Sequence, residues 1–408
     1  MPDSRAMMTT GKRRLLPAVA CALLIACPLA SPVGAAEGAA GADPGSQQRL
    51  DSTARLIAGL PPSHPDHAEL ARSREWQQHS RAIQSSWTRV RDGQIAAMTA
   101  WREAELPAGC PVGRTLLYPF SGPDFLNAHG LFPDCSTLVL FGLERIGEVP
   151  DVGSMSSQEF TRLLTNARGF LINLFARNYF VTDTMQKALR STEQLRGVVP
   201  VFMVLMALSG AEVLRVAPLK LEPAPGAKPP GEGLPAAGGR KRVLRGVSID
   251  FRNAGSAQVR RLNYFSLDAT DAAITAYPEF LDYLRSLGPT TTLIKSASYL
   301  LHGNEFRRVR EAILETSRFL VQDDTGLPYA RLVKRGWQVR VYGVYNVPIP
   351  PFENAYQTAL AAAYVKQKPK PLPFRFGYQL NQVENRSNLM VARLPDGQGQ
   401  PGGGPGAR

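Results

Sequence analysis

Short apolar runs of strand length alternate along this chain with much longer amphipathic stretches, and that alternation limits the fold more than any other feature. Thr115 to Phe120 and Thr137 to Leu143 are rich in large apolar side chains. Val247, Ile249 and Phe251 alternate with Ser248, Asp250 and Arg252, and Trp337, Val339 and Val341 alternate with Gln338 and Arg340. A period of two is the mark of a strand with two unlike faces. Between such runs lie helical patterns. Ser156-Ser157-Gln158-Glu159 opens one with a capping box, and Phe160, Leu163, Leu164, Ala167, Leu171 and Leu174 form its apolar face. Pro278 starts another and Leu287-Gly288-Pro289 ends it. The apolar run Val198 to Leu208 reads as buried core, since Glu212 and Arg215 follow it closely. Strands alternating with helices predict an α/β fold. The short connections around residues 212–267 favour antiparallel neighbours, so the sheet is expected to be mixed and flanked by helices.

Further along, Thr290 or Thr291 is expected to open a helix closed by Gly303. Asn304 is expected to cap another, with Phe306, Val309, Ile313 and Leu320 facing inward, and Gln322-Asp323-Asp324-Thr325-Gly326 reads as a turn. Nearer the start, Ser63 to about Leu106 reads as a long helical segment in one or two pieces. Trp76, Ile83, Trp87, Val90, Met98 and Trp101 make a stripe along it, expected to pack on the main domain rather than to serve as a glycan platform.

The first residues read as an export leader. Lys12, Arg13 and Arg14 precede an apolar run from Leu15 to Ala26, which is too short to span a bilayer, since spanning takes about 20 residues. Two endings fit. Leu24-Ile25-Ala26-Cys27 has the form of a bacterial lipobox, in which the cysteine is lipidated and becomes the new N-terminus; Val33-Gly34-Ala35 offers small residues for ordinary cleavage. The lipobox is the favoured reading. Residues 1–26 are then the signal, 27–47 a tether rich in Ala, Gly and Pro, and 48–106 the N-terminal helical segment. Residues 107–394 form the α/β domain, interrupted by a Pro/Gly insert at 222–240, and 395–408 form a disordered tail.

The whole chain carries a formal charge of +13. The leader holds Arg5, Lys12, Arg13 and Arg14 against Asp3, which leaves about +10 on a chain cut before Cys27. The favoured reading of this charge is a soluble surface with a positive bias, and the alternative is contact with anionic envelope polymers or lipid headgroups; nucleic acid is not expected, for no motif is present. Of the four cysteines, Cys21 and Cys27 lie in the leader. Cys110 and Cys135 remain, and an oxidising compartment favours a disulfide between them that would also brace the Ser121–Asp124 loop. The five histidines show no metal-ligand spacing, so neither metal nor cofactor is expected.

No nucleophile signature such as GxSxG and no phosphate loop occurs. Thr292-Leu-Ile-Lys295 mimics an SxxK pair but lacks its usual partners. The positional signal is better. Ligands of open α/β sheets bind beyond the carboxyl ends of strands. Ser121 and Asp124 follow the first predicted strand, Glu144 and Arg145 the second, and Asp268, Thr270 and Asp271 a later one. Asp124, Glu144 and Asp268 are therefore the candidate catalytic carboxylates, and Tyr118, Ser121 and His129 the candidate ligand contacts. The bland alternative is that these residues cap helices and form turns.

Segments 118–150 (YPFSGPDFLNAHGLFPDCSTLVLFGLERIGEVP) and 293–329 (LIKSASYLLHGNEF to QDDTGLPY) resemble uncharacterised exported bacterial proteins. The resemblance implies export and brings no catalytic roles. The expectation is an envelope protein, in the periplasm or lipid-anchored, that binds a partner or ligand, with the membrane touched through the anchor alone. The alternative is a hydrolase of envelope material using paired carboxylates. Replacing Cys27 by Ser should abolish fatty-acid labelling and release the protein to the soluble fraction. Labelling that persists, or a mature chain beginning at Ala36, would reject the anchor.

Overall fold

Among the described residues, nine strands form one mixed sheet in the order β3-β4-β5-β2-β1-β6-β7-β9-β8. The computed structural model describes residues 44–177, 197–222, 243–349, 352–378 and 385–395. The leader, Cys27, most of the insert and the tail from 396 lie outside them, as does nearly all of the tether. The strands are β1 Thr115–Pro119, β2 Thr137–Gly142, β3 Glu212–Leu221, β4 Leu244–Arg252, β5 Val259–Ser266, β6 Thr290–Ile294, β7 Ser317–Gln322, β8 Gln338–Gly343 and β9 Asn388–Arg393. The inner strands β5, β2, β1, β6 and β7 run parallel, and antiparallel pairs extend both sides.

Alternation along the inner strands divides the core. Leu116, Tyr118, Leu138 and Leu140 point to one face; Leu117, Val139, Phe141, Ile294 and Leu320 point to the other. The first face is covered by α1 Pro44–Ile57, α2 Arg74–Arg89, α3 Ala96–Glu105, α4 Phe125–Leu131, α5 Ser157–Arg177 and α6 Val198–Leu208. The second is covered by α7 Asp271–Ile274, α8 Pro278–Ser286, α9 Arg307–Thr316 and α10 Tyr329–Lys334. Both faces are dry, which is why the inner strands read as apolar runs rather than as clean alternation. Every residue of α6 is buried. At about 1.5–3 kcal/mol for a large apolar side chain, such a helix is held by packing and not by helix propensity. No helix among the described residues is long and apolar enough to cross a membrane.

Helix α1 begins at Pro44, inside the stretch read as tether, and Asp51 anchors it by accepting the Val213 N–H. Trp76, Trp87 and Trp101 are all buried: Trp76 donates its indole N–H to Leu56 O, and Trp101 packs edge-on against Tyr342 and Phe374. Between α2 and α3 the chain makes a π-helical turn, Val90–Ile95. There Gln94 exchanges two hydrogen bonds with the Arg375 backbone and ties this helix to the C-terminal part of the fold. The capping box forms as read, Ser156 N–H to Glu159 Oε2 and Glu159 N–H to Ser156 Oγ.

Two expectations fail. Thr290–Ile294 is the central strand β6, not the start of a helix, and Leu320 lies in strand β7, not on a helix face. Thr290 and Thr291 each resemble a helix cap, but β-branched residues suit a strand buried on both sides. At one edge, α11 Thr358–Gln367 packs on β8. Its Gln367 accepts the Val341 N–H and donates to Val339 O, filling the outer hydrogen-bond sites of that strand.

Cys110 and Cys135 form a disulfide. Both cysteines precede their strands, so the bridge sits at the amino ends of β1 and β2 and braces that end of the sheet, not the Ser121–Asp124 loop at the other. Closing a loop of this size constrains the unfolded chain by about 3 kcal/mol. Replacing both cysteines by Ala should lower the unfolding free energy by about that amount in denaturant titration. No change, or two reactive thiols in unreduced denatured protein, would contradict it.

Candidate functional site

Sheet order reverses between β1 and β6: the chain moves from β1 to β2 on one side, and β6 and β7 lie on the other. Such a switch point opens a crevice at the carboxyl ends of the strands. The backbone there is strained on both sides. Phe120 after β1, and Ser296, Ser298 and Tyr299 after β6, all have positive φ, between 51° and 57°. Non-glycine residues hold that conformation at a cost, and it is found at functional sites more than elsewhere.

Asp124 is the hub. Its Oδ2 accepts from Lys295 Nζ at 2.9 Å and from the Tyr118 hydroxyl at 2.8 Å. Its Oδ1 caps α4 through the Asn127 N–H, and the Asn127 amide donates to both oxygens. The ion pair is buried, with 1 % of the Lys295 side chain and 5 % of the Asp124 side chain exposed. Burial pushes the Tyr118 hydroxyl well above its ordinary pKa, and the negative charges of Asp124 and then Asp323 add to the shift.

Asp323 and Asp324 follow β7. Asp323 accepts the Ser296 N–H at 2.8 Å, the Thr325 N–H at 3.0 Å and the Thr325 hydroxyl. The chain passes so close to it at Gly377 that a Cβ there would lie 2.3 Å from Oδ2, and Gly377 also has φ of +71°. Only glycine fits both demands. Asp324 accepts from the Tyr299 hydroxyl and from Asn388 Nδ2 at 2.8 Å, while Asn388 Oδ1 takes the Asp324 N–H. Burial first, and then the neighbouring Asp324 charge, push the Asp323 carboxyl up to about 7. Burial also raises Asp324, against the opposing hydrogen bonds from Tyr299 and Asn388.

Above Asp324 lies a narrow cleft with about 20 Å³ of water-accessible space. Tyr299, Tyr378, Asn346, Arg386 and Asn388 line it with Asp324. That space is room for about one water, so a larger ligand would sit at the mouth, over these side chains. Phe352 packs against Tyr299 and stacks on Tyr378, which fixes both rings in the wall.

The residues named from sequence separate. Tyr118 and Asp124 meet in the ion-pair cluster. Ser121 is buried beside them in the loop and donates to Gly122 O. Glu144 is buried against the same loop, near Gly122, but accepts from the Tyr264 hydroxyl and not from the Asp124 group. Asp268 is exposed and closes a turn by accepting the Thr270 N–H. His129 stacks on Phe125 and bonds Asn253 Oδ1, away from the cluster. Thr292 and Lys295, three apart around a strand end, do not form an SxxK pair, for Thr292 Oγ1 is bonded to Ser317 Oγ. Lys295, Asp323, Asp324, Tyr299 and Asn388 were not among the candidates. The signal for the first three existed: each follows a strand, but those strands were read as helix.

Comparison with protein-family models, with curated proteins and with solved structures found no match.

Asp323 gives a pH signature. A carboxyl raised to about 7 in the folded state, against about 3.9 unfolded, binds its proton more tightly when folded. Its contribution to stability is complete below about pH 4 and is lost as pH rises through 7. The Asp323→Asn variant should lack this decline, so the difference between variant and parent unfolding free energies should change steadily between pH 4 and 7. Parallel profiles would show that Asp323 is ionised throughout.

Proposed function

We propose that this is an exported, lipid-anchored envelope protein that binds a small carbohydrate-type ligand across the mouth of the cleft above Asp324, without turning it over. One observation carries the reading: two fixed tyrosine rings share one small cleft with a carboxylate, two carboxamides and a guanidinium. Flat aromatic faces pack against the C–H faces of a sugar, and short polar side chains take its hydroxyls. Binding is favoured over catalysis because the carboxylates are already engaged. Asp124 is committed to Lys295, Tyr118 and Asn127, and both Asp324 oxygens have donors. The Thr325 hydroxyl does donate to Asp323, but Thr325 is fully buried and out of a ligand's reach.

The second reading, hydrolysis of envelope material, is favoured by one feature. Asp323, with its raised pKa, lies next to Asp324, and a carboxyl that keeps its proton near neutral pH is suited to general-acid work. The acid pair would then be these two rather than Asp124 with Glu144 or Asp268.

The test is calorimetric titration with a panel of soluble amino sugars and their disaccharides, N-acetylglucosamine among them. At least one should bind, and Asp324→Asn and, separately, the rim variant Asn346→Ala should each weaken it about tenfold, as expected for loss of a charged or polar hydrogen bond worth ~1.5 kcal/mol. Binding by neither parent nor variants would dismiss the cleft, and release of reducing sugar by the parent would favour the hydrolase.

A further inference from the structure

From Asn354 to Tyr378 the chain contains no acidic residue, yet it carries Lys366, Lys368, Lys370 and Arg375. The three lysines are solvent-facing, and none has a carboxylate partner among the described residues. Beside them Val365 is 76 % exposed, the most exposed of the large apolar residues described. Helix α10 packs on α11 and adds Val333, 48 % exposed, and Lys334, again without an acidic partner. Pro371 and Pro373 complete the run, and both are exposed.

This segment is not a loose tail. Gln367 is bonded across Val339 and Val341, the Tyr364 hydroxyl donates to Tyr342 O, and Lys370 O accepts the Gly343 N–H at 2.9 Å. These bonds fix its backbone along the outer edge of β8. Lys368 turns the chain out of α11 in the left-handed conformation, with φ of 47°. Three cations, in a segment without acidic residues from 354 to 378, and an exposed valine on each of two adjoining helices are thus held on a rigid base.

We propose that the α10–α11 face and residues 365–373 form a docking surface for an anionic phospholipid bilayer, giving the protein a direct membrane contact besides any lipid anchor. Charge complementarity selects the occupant. Lysines reach headgroup phosphates while their methylene stems and the valines rest at the acyl boundary. A soluble acidic protein would leave Val365 and Val333 in need of a matching apolar face, whereas a bilayer supplies one at any register. Each lysine near an anionic surface contributes about fivefold to partitioning, and salt screens it. The inference does not depend on the sugar-binding reading.

The test uses the full chain carrying Cys27→Ser, so that no acyl chain competes, and co-sedimentation with phosphatidylcholine vesicles with and without phosphatidylglycerol. Phosphatidylglycerol should raise binding, and added salt should reverse the gain. A variant with Lys366, Lys368 and Lys370 each changed to Gln should lose roughly a hundredfold of that gain. Val365→Asp alone should lose severalfold, with thermal unfolding unchanged in both. Because all forms share one N-terminus, only the phosphatidylglycerol-dependent increment is read. No increment in the parent, an increment that both variants keep, or binding to soluble polyphosphate without binding to vesicles would overturn the proposal.

Discussion

The buried ion pair of Asp124 and Lys295 ties together the segments that leave the paired strands β1 and β6 where the sheet order reverses. The segments after β1 and β6 diverge at the switch point, and this one bond at 2.9 Å links them across the gap. A buried pair is costly to form and stabilises only when its remaining hydrogen-bonding capacity is met. Here Tyr118 and Asn127 meet that of the carboxylate. The links continue outward: Ser296 N–H to Asp323 joins β6 to β7, and Asn388 to Asp324 joins β7 to β9. A row of polar bonds thus runs along the carboxyl edge from β1 to β9. Apart from the Asn127 amide oxygen and the Ser296 hydroxyl, which are buried without a partner, its named bonds are made, and a satisfied buried network rigidifies rather than weakens a fold.

That rigidity bears on function. The positive φ values of Ser296, Ser298 and Tyr299 persist because neighbouring side chains hold the loop from several sides. Tyr299 reaches Asp324 and the cleft wall only from that conformation of the loop. The aromatic and polar groups of the cleft are accordingly fixed before any ligand arrives, and pre-organisation of this kind spares the entropy of ordering side chains on binding.

The sequence carries the α/β class and the strands β1, β2, β3, β4, β5 and β8, because their flanks and alternation are plain. It hides β6 and β7. Thr290–Ile294 is short and buried on both faces, so it shows no period, and its threonines imitate helix caps. β7 follows α9 with no intervening break, since Thr316 ends the helix and Ser317 begins the strand. Losing two central strands removed Lys295, Asp323 and Asp324 from view, although the rule that found Asp124 applies to them equally. Asp268 shows the converse error: it does follow a strand, yet it is the Asx turn that such residues form by default. Which strand end faces the switch point is a property of sheet order, and sheet order was not readable from local pattern.

The bonds of Gln367 to β8 have a consequence beyond the fold of one molecule. An outer strand with free N–H and C=O groups is a template on which another chain can add a strand, the first step toward fibrils or uncontrolled polymers. On β8 that template is occupied at Val339 and Val341 by a glutamine side chain whose amide imitates a peptide group. The β8 side of the sheet is thereby closed to growth at these two residues, and such closure matters most wherever copies of the chain are crowded together.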